Sequence, residues 1–334
     1  MSQIYITDSK AKLNIESGQL KINYADGMVH TIPFESIDGI TVFGNAQLST
    51  QCLGACLKAG IQVQYFSSSG NYFGKLSSTI HVNTSRQKAQ VFAACDEQFA
   101  LNLAKIILSA KINNQIVLLR RYERNHNILD NEIETIKQLN KKIKQVNTLN
   151  EAIGYEGSAA KEYFKGISKL VPKKGFNFNG RNRRPPRDPV NSMLSLGYSI
   201  LINEMYAAIE GRGLSPYFGF IHQDKEKHPT LASDLIEEWR AVIVDSTVLS
   251  LISKNEISPD DFYKNEETGA VFLNRNAMRV FLKSFEEKIR SSSKYLSYID
   301  YPISYRRAFD MQVLQLCKAI ENKNPSDYSP FMLR

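Results

Sequence analysis

The sequence predicts an α+β chain in which a small β-rich region precedes a larger helical one. Three observations predict it. Over roughly the first 80 residues, short runs alternate apolar with polar side chains, the period of a half-buried strand. The turn pairs Ser17-Gly18 and Asp26-Gly27 punctuate those runs. From Phe92 onward the apolar spacing becomes helical and stays so. A chain of 334 residues is long enough for two domains. The expected division is a β-rich domain over 1–80, a linker over 81–91 and a helical domain over 92–334.

Taken in order, Leu13–Ile15 and Leu20–Tyr24 read as strands about the first turn, and Met28–Ile32 as the strand after the second. Ile37–Phe43 and Ile61–Phe66 follow as strands, with a short helix over Leu48–Lys58 between them that stops at Ala59-Gly60. Tyr72–Leu76 closes a small, largely antiparallel structure. Phe99, Ala100, Leu103, Ile106, Ile107 and Ala110 line one face of a long helix running toward Tyr122. Further helical patterns cover 129–145, 157–170, 190–209, 232–239, 275–289 and 305–320. Tyr217–Ile221 reads as a buried strand with His222 at its exit.

Lys and Arg outnumber Asp and Glu, 42 to 34, for a formal charge of +8. That excess favours a polyanionic partner, either nucleic acid or an anionic membrane surface. No apolar run approaches the length of a transmembrane helix, and the amino terminus is too polar for a secretory signal, so a cytoplasmic location is expected. Cys52 and Cys56 share a helix face with no His or second Cys pair near them, which fits buried structural thiols better than zinc.

One segment, 172–187, is basic, aromatic and rich in Gly, Pro and Asn, and cannot be regular helix. Its arginines Arg181, Arg183, Arg184 and Arg187 repel one another without a counter-charge, and phosphate contact satisfies them. Phe176 and Phe178 are expected to anchor the loop to the core rather than stack on bases.

The groups able to do chemistry are few. Glu156 stands among small residues, with room for a ligand or a closely packed helix. Asp234 and Glu237 lie three apart on one helix, with Leu235, Ile236 and Trp239 packing that helix inward. Glu238 points about 100° away from Glu237, so both cannot aim at one ion, and its change to Gln should be nearly silent unless it makes a structural salt bridge. A histidine with two or three carboxylates suits Mg²⁺ or Mn²⁺. From the residues alone, the chain is a basic protein with a candidate divalent-metal site. A metallohydrolase of small phosphate esters and a non-catalytic nucleic-acid-binding subunit both remain open.

Four blocks carry a resemblance. Gly154–Phe164, Arg181–Asn191, Gly213–His222 with Leu231–Arg240, and Tyr305–Phe309 with Gln312 are similar, in order, to blocks of the CRISPR-associated spacer-acquisition integrase family. The resemblance implies a small N-terminal β-sandwich-like domain followed by a larger all-α catalytic domain. It implies Glu156, His222 and Glu237 as metal ligands and catalytic residues, and Asp234 as a supporting acidic position. Arg240, three residues after Glu237, would hold a phosphate or pair with an acidic neighbour. The implied partners are double-stranded and branched DNA, a second copy of the chain, and a small ferredoxin-like companion protein, with no membrane. The implied reaction is the attack of a DNA 3′-hydroxyl on a phosphodiester, with Mg²⁺ or Mn²⁺ as cofactor.

Overall fold

Ser17-Gly18 and Asp26-Gly27 turn the chain twice, with Gly18 and Gly27 at φ of 74° and 85°, backbone that side chains other than hydrogen rarely adopt. The computed structural model describes residues 2–123, 128–171, 175–183, 185–294, 296 and 298–333. It divides into two units, residues 1–82 and 83–334.

The first unit runs β1 (Ser2–Ile6), β2 (Lys12–Glu16), β3 (Gln19–Asn23), β4 (Val29–Pro33), β5 (Ile37–Phe43), β6 (Gln47–Leu48), α1 (Thr50–Ala59), β7 (Gln62–Phe66) and β8 (Tyr72–Leu76). The strands form two sheets, ordered β1-β5-β7-β8 and β4-β3-β2-β6. Leu13, Leu20 and Ile22 of one sheet share a core with Ile40, Val42 and Val63 of the other and with Cys52 and Cys56 of α1. Both thiols are buried and free.

The expectation of a largely antiparallel structure is corrected here. The pairs β1/β5, β5/β7 and β2/β6 are parallel, while β2/β3, β3/β4 and β7/β8 are antiparallel. Parallel neighbours need a crossover, and α1 supplies one between β5 and β7. The connection from β1 to β5 passes through β2, β3 and β4, three of the four strands of the second sheet. β1 and β6 were not among the expected strands.

The second unit is mostly helical: α2 (Thr84–Cys95), α3 (Glu97–Glu123), α4 (Asp130–Ile143), α5 (Leu149–Leu170), α6 (Pro189–Gly211), α7 (Thr230–Leu235), α8 (Ser246–Ser253), α9 (Arg275–Arg290) and α10 (Tyr305–Glu321). Two small hairpins accompany them, β9 (Phe262–Lys264) with β10 (Val271–Leu273), and β11 (Ser292–Ser293) with β12 (Ile303–Ser304). α2 occupies much of the span read as linker, and Asn83 caps it by accepting from the Arg86 amide at 3.0 Å. α5 starts earlier than its apolar pattern, because Thr148 and Glu151 form a reciprocal cap. No strand covers Tyr217–Ile221. That apolar run is an irregular loop, and its inner amides bond to a side chain instead of a neighbouring strand.

The helix expected over 232–239 is also different. α7 ends at Leu235, a 3₁₀ turn covers Ile236–Glu238, a π-helical stretch covers Arg240–Asp245, and α8 continues from there. The tighter turn sets consecutive residues about 120° apart, which widens the divergence of Glu237 and Glu238.

Glu238 is buried completely. Its carboxylate accepts from Gln312 Nε2 at 2.8 Å, Tyr328 OH at 2.8 Å and the Phe331 amide at 2.6 Å. Next to it, Trp239 stacks on Phe331 at 4.0 Å and donates its indole N–H to Gln312 at 2.6 Å. Asn114 of α3 donates to the carbonyls of Glu238 and Phe331, and accepts from the Leu333 amide. The segment after α10 is thereby bound to α3 and to the 3₁₀ turn at once. Glu238 is thus a hydrogen-bonding hub, with no ion pair among the described residues, and it is directed away from Glu237 as expected.

Burial pushes the Glu238 carboxyl up to about 8 in spite of its three donors. An acid held above its unfolded value keeps its proton more tightly when folded. Its stabilisation is complete below the ordinary glutamate range and is lost as pH rises through about 8. Glu238→Gln removes that loss but turns an N–H₂ toward one of the donors, a defect of about 1–3 kcal/mol. Thermal melts should therefore show the variant below wild type near pH 5, with the gap narrowing or reversing near pH 9. A gap independent of pH would mean that Glu238 does not titrate in this range.

Candidate active site

Four elements of the second unit bring charge together. α3 contributes Lys111, α5 contributes Glu156, the 3₁₀ turn contributes Glu237, and the π-helical stretch contributes Arg240. Lys111 is buried in the middle of α3, and its ammonium touches Glu156 Oε1 and lies 2.6 Å from Glu237 Oε2. The latter contact lacks the alignment of a hydrogen bond, so it is charge on charge. Arg240 reaches the other oxygen of Glu237 at 3.0 Å. Burial raises the Glu237 carboxyl, but Arg240 and Lys111 outweigh it and hold the group down at about 2. Glu237 is therefore an anion at any working pH.

His222 and Asp234 form the second half of the site. Asp234, fully buried on α7, accepts from the amides of Phe220, Ile221 and His222 at 2.7, 2.9 and 3.2 Å. Its Oδ1 also lies 2.6 Å from His222 Nδ1. A carboxylate can only accept, so Nδ1 carries the proton. In the neutral ring the lone pair then sits on Nε2. The hydrogen bond to Asp234 raises the imidazole above its ordinary value, with burial opposing. Gly219 makes this wrap possible: a Cβ there would stand 2.6 Å from Asp234 Oδ2 and 2.5 Å from Thr230 Cγ2. A cavity of about 660 Å³ opens beside His222, lined among others by Gln98, Asn147, Thr148, Asn150, Phe218 and Gln223.

Behind these groups, Asp245 is buried and accepts from Tyr163 at 2.6 Å and Tyr198 at 2.5 Å. Burial pushes its carboxyl up to about 6. The Tyr198 ring carries two guanidinium groups, Arg181 at 5.3 Å and Arg240 at 5.0 Å from its centroid. Arg181 is further held by Asn191 at 2.7 Å and Ser195 at 3.1 Å. Asp188 caps α6 by accepting from the Asn191 amide, which folds the basic loop onto that helix. The Nε atoms of Arg181 and Arg240 are buried without a hydrogen-bond partner among the described residues. Arg183 and Arg187 are exposed, and Arg184 lies outside the described residues, as do Pro172, Lys173 and Lys174. Phe176 and Phe178 are buried, packed on Phe262 and Phe164, as core anchors.

The structure thus joins Glu156 to Glu237 through Lys111, and joins His222 to Asp234. Among the described residues no three His, Cys, Asp or Glu side chains converge as a ready ligand set. The donors nonetheless fit a hard divalent cation. Two carboxylates already surround one cation, and Asp234 holds an imidazole with its Nε2 lone pair available, an arrangement that would suit a metal-binding histidine. Reading the sequence missed Lys111, Tyr163, Tyr198, Asp245 and Gly219. Each lies in an apolar or small-residue helix or loop pattern, and only the tertiary pairing distinguishes it.

The family model described as "CRISPR associated protein Cas1" matches residues 4–287. The "CRISPR-associated endonuclease Cas1" of Mycobacterium tuberculosis is 37% identical over 326 residues, covering 98% of this chain and 96% of the relative. The "CRISPR-associated endonuclease Cas1 3" of Thermus thermophilus is 32% identical over 336 residues, covering 99% and 97%. Among solved structures, a CAS1 protein from Thermotoga maritima superposes with a TM-score of 0.82 at 23% identity, covering 96% of this chain and 97% of that one. A chain of a Cas6-RT-Cas1–Cas2 complex superposes with a TM-score of 0.86 at 25% identity, and there this chain spans 36% of the neighbour's length. The match over most of the chain, with relatives above 30% identity along nearly their whole length, places this chain in the CRISPR-associated Cas1 family.

Proposed function

We propose that this chain is a metal-dependent DNA endonuclease and integrase that inserts captured DNA fragments into a CRISPR array by transesterification, and that it also cleaves or resolves branched DNA. The observation that carries the reading is the glutamate pair, Glu156 and Glu237, gathered round a cation beside the His222–Asp234 pair, in a chain whose relatives are named endonucleases.

Glu156, His222 and Glu237 would hold Mg²⁺ or Mn²⁺, both suited by carboxylate and imidazole donors. When bound, such an ion polarises a phosphoryl oxygen and eases proton loss from an attacking hydroxyl. Asp234 fixes the His222 ring and its tautomer. Arg240, stacked on Tyr198 and paired to Glu237, sets positive charge at the edge of the site, where a phosphodiester can lie. Arg181 stacks on the same ring, while Arg183 and Arg187 extend positive charge outward for the DNA backbone. One phosphodiester is exchanged for another, so neither ATP nor a protein nucleophile is required.

The chain acts as a homodimer on double-stranded and branched DNA, together with a small ferredoxin-like companion. The Cas1–Cas2 complexes among its structural neighbours support a protein partner. Among the described residues no helix is long and apolar enough to cross a membrane, and a cytoplasmic location suits an enzyme of DNA.

Branched DNA should be cut in the presence of Mn²⁺ or Mg²⁺ and left whole in EDTA. Cutting that persists in a large excess of chelator overturns the metal reading. Glu237→Gln should abolish cutting while the protein still melts cooperatively, since the variant loses the charge a hard ion requires.

Asp234→Asn offers fewer acceptors to the amides of Phe220, Ile221 and His222 and to Nδ1. Activity should fall by about 10–100-fold, with a higher half-saturating Mn²⁺ concentration. An unchanged metal titration would mean that Asp234 serves the loop alone.

Arg183→Ala and Arg187→Ala should each flatten the log–log salt dependence of duplex binding by roughly 0.9 if each contacts one phosphate. An unchanged slope, measured by fluorescence anisotropy, removes the loop from the interface.

A further inference from the structure

Lys111 sits where two carboxylates meet, and no step of the reaction above uses it. Its side chain is 7% exposed and those of Glu156 and Glu237 are 17% and 4% exposed, so water screens this cluster poorly. Arg240, 17% exposed, completes it. The formal charges balance as they stand: two carboxylates against one ammonium and one guanidinium. A divalent ion bound to the same carboxylates would leave an excess of two positive charges in a confined site. One resident cation must then yield.

The two cations are not equally able to do so. Arg240 is fixed by stacking on Tyr198 as well as by Glu237. The only polar contacts of the Lys111 ammonium among the described residues are with Glu156 and Glu237, and its four-carbon stem is flexible.

We infer that Lys111 is a resident counter-cation, which holds Glu156 and Glu237 together in the metal-free protein and competes with the divalent ion for the same two carboxylates. This rests on the metal reading of the site. Lys111 then does two things at once. It keeps two poorly screened carboxylates from repelling each other before metal arrives, and it sets the metal concentration at which the site loads.

The test is Mn²⁺ binding to the metal-free, full-length protein by titration calorimetry, with no DNA present. Lys111→Met should tighten the Mn²⁺ Kd by at least about tenfold, a modest share of what one charge a few Å away is worth at an effective dielectric near 20. Lys111→Arg keeps the charge and should stay close to wild type. In EDTA the Met variant should melt below wild type, and saturating Mn²⁺ should raise its Tm by more than it raises that of wild type. Should the Met variant be unfolded in EDTA, its Mn²⁺-driven refolding, followed by circular dichroism, reads the same competition. Failure to refold at a Mn²⁺ concentration that saturates wild type overturns the proposal. So does a folded Met variant that binds Mn²⁺ no more tightly than wild type, and in that case the metal reading stands. If wild type binds no Mn²⁺ beyond what Glu237→Gln binds, the metal reading falls and takes this proposal with it.

Discussion

Burial of opposite charges at one point constrains the whole second unit. Lys111, Glu156, Glu237 and Arg240 come from four different elements, and each is costly to bury without the others. Removing one member of a buried ion pair typically costs about 3–5 kcal/mol, because the remaining charge is left uncompensated. The approach of α5 to α3, and the position of the 3₁₀ turn against both, must satisfy this set. The departure from regular α-helix between Leu235 and Ser246 coincides with it. Over those few residues the chain must aim Glu237 and Arg240 into the cluster, Glu238 away from it, and Asp245 toward two tyrosines. Local changes of pitch at such places are common in functional sites.

The buried cluster is matched by a surface of opposite purpose. The loop before α6 is anchored by Phe176 and Phe178 and closed by Asp188 and Asn191, which leaves Arg183 and Arg187 outside. Arg181 is turned inward to share the Tyr198 ring with Arg240. One tyrosine thus couples the positions of a loop arginine and a site arginine, and its hydroxyl is tied to Asp245 behind them. The basic loop and the charge cluster are thus held by the same ring.

Much of this was legible in the sequence, for physical reasons. Period-2 and period-3.6 burial patterns produced most strands and helices, because each of those elements buries one face. Turn glycines at positive φ marked the hairpins. The pairing directions of the sheets were misread: β5, parallel to both its neighbours, is buried almost continuously, whereas β2 and β3, antiparallel to each other, alternate. Tyr217–Ile221 reads as a strand because it is apolar, yet its amides are satisfied by one aspartate, an arrangement that no local pattern encodes. Glu156, His222, Asp234 and Glu237 could be singled out by residue type and resemblance. Lys111 could not, because a lysine inside an apolar helix reads as an interruption until its two partners are known.

The clamp formed by Tyr328, Phe331 and Leu333 has a consequence for the order of events during synthesis. Tyr328 and Phe331 reach Glu238 across 90 and 93 residues of chain, and Leu333 reaches Asn114 across 219. At roughly 5–20 residues per second, the ribosome needs several seconds to travel from Glu238 to Phe331. Throughout that interval the arginine-rich loop has already been made, while the wall behind Glu237 and Trp239 has no partner to close it. A nascent chain therefore exposes its arginine-rich loop and its Glu238 carboxyl before Gln312, Tyr328 and Phe331 exist to satisfy that carboxyl.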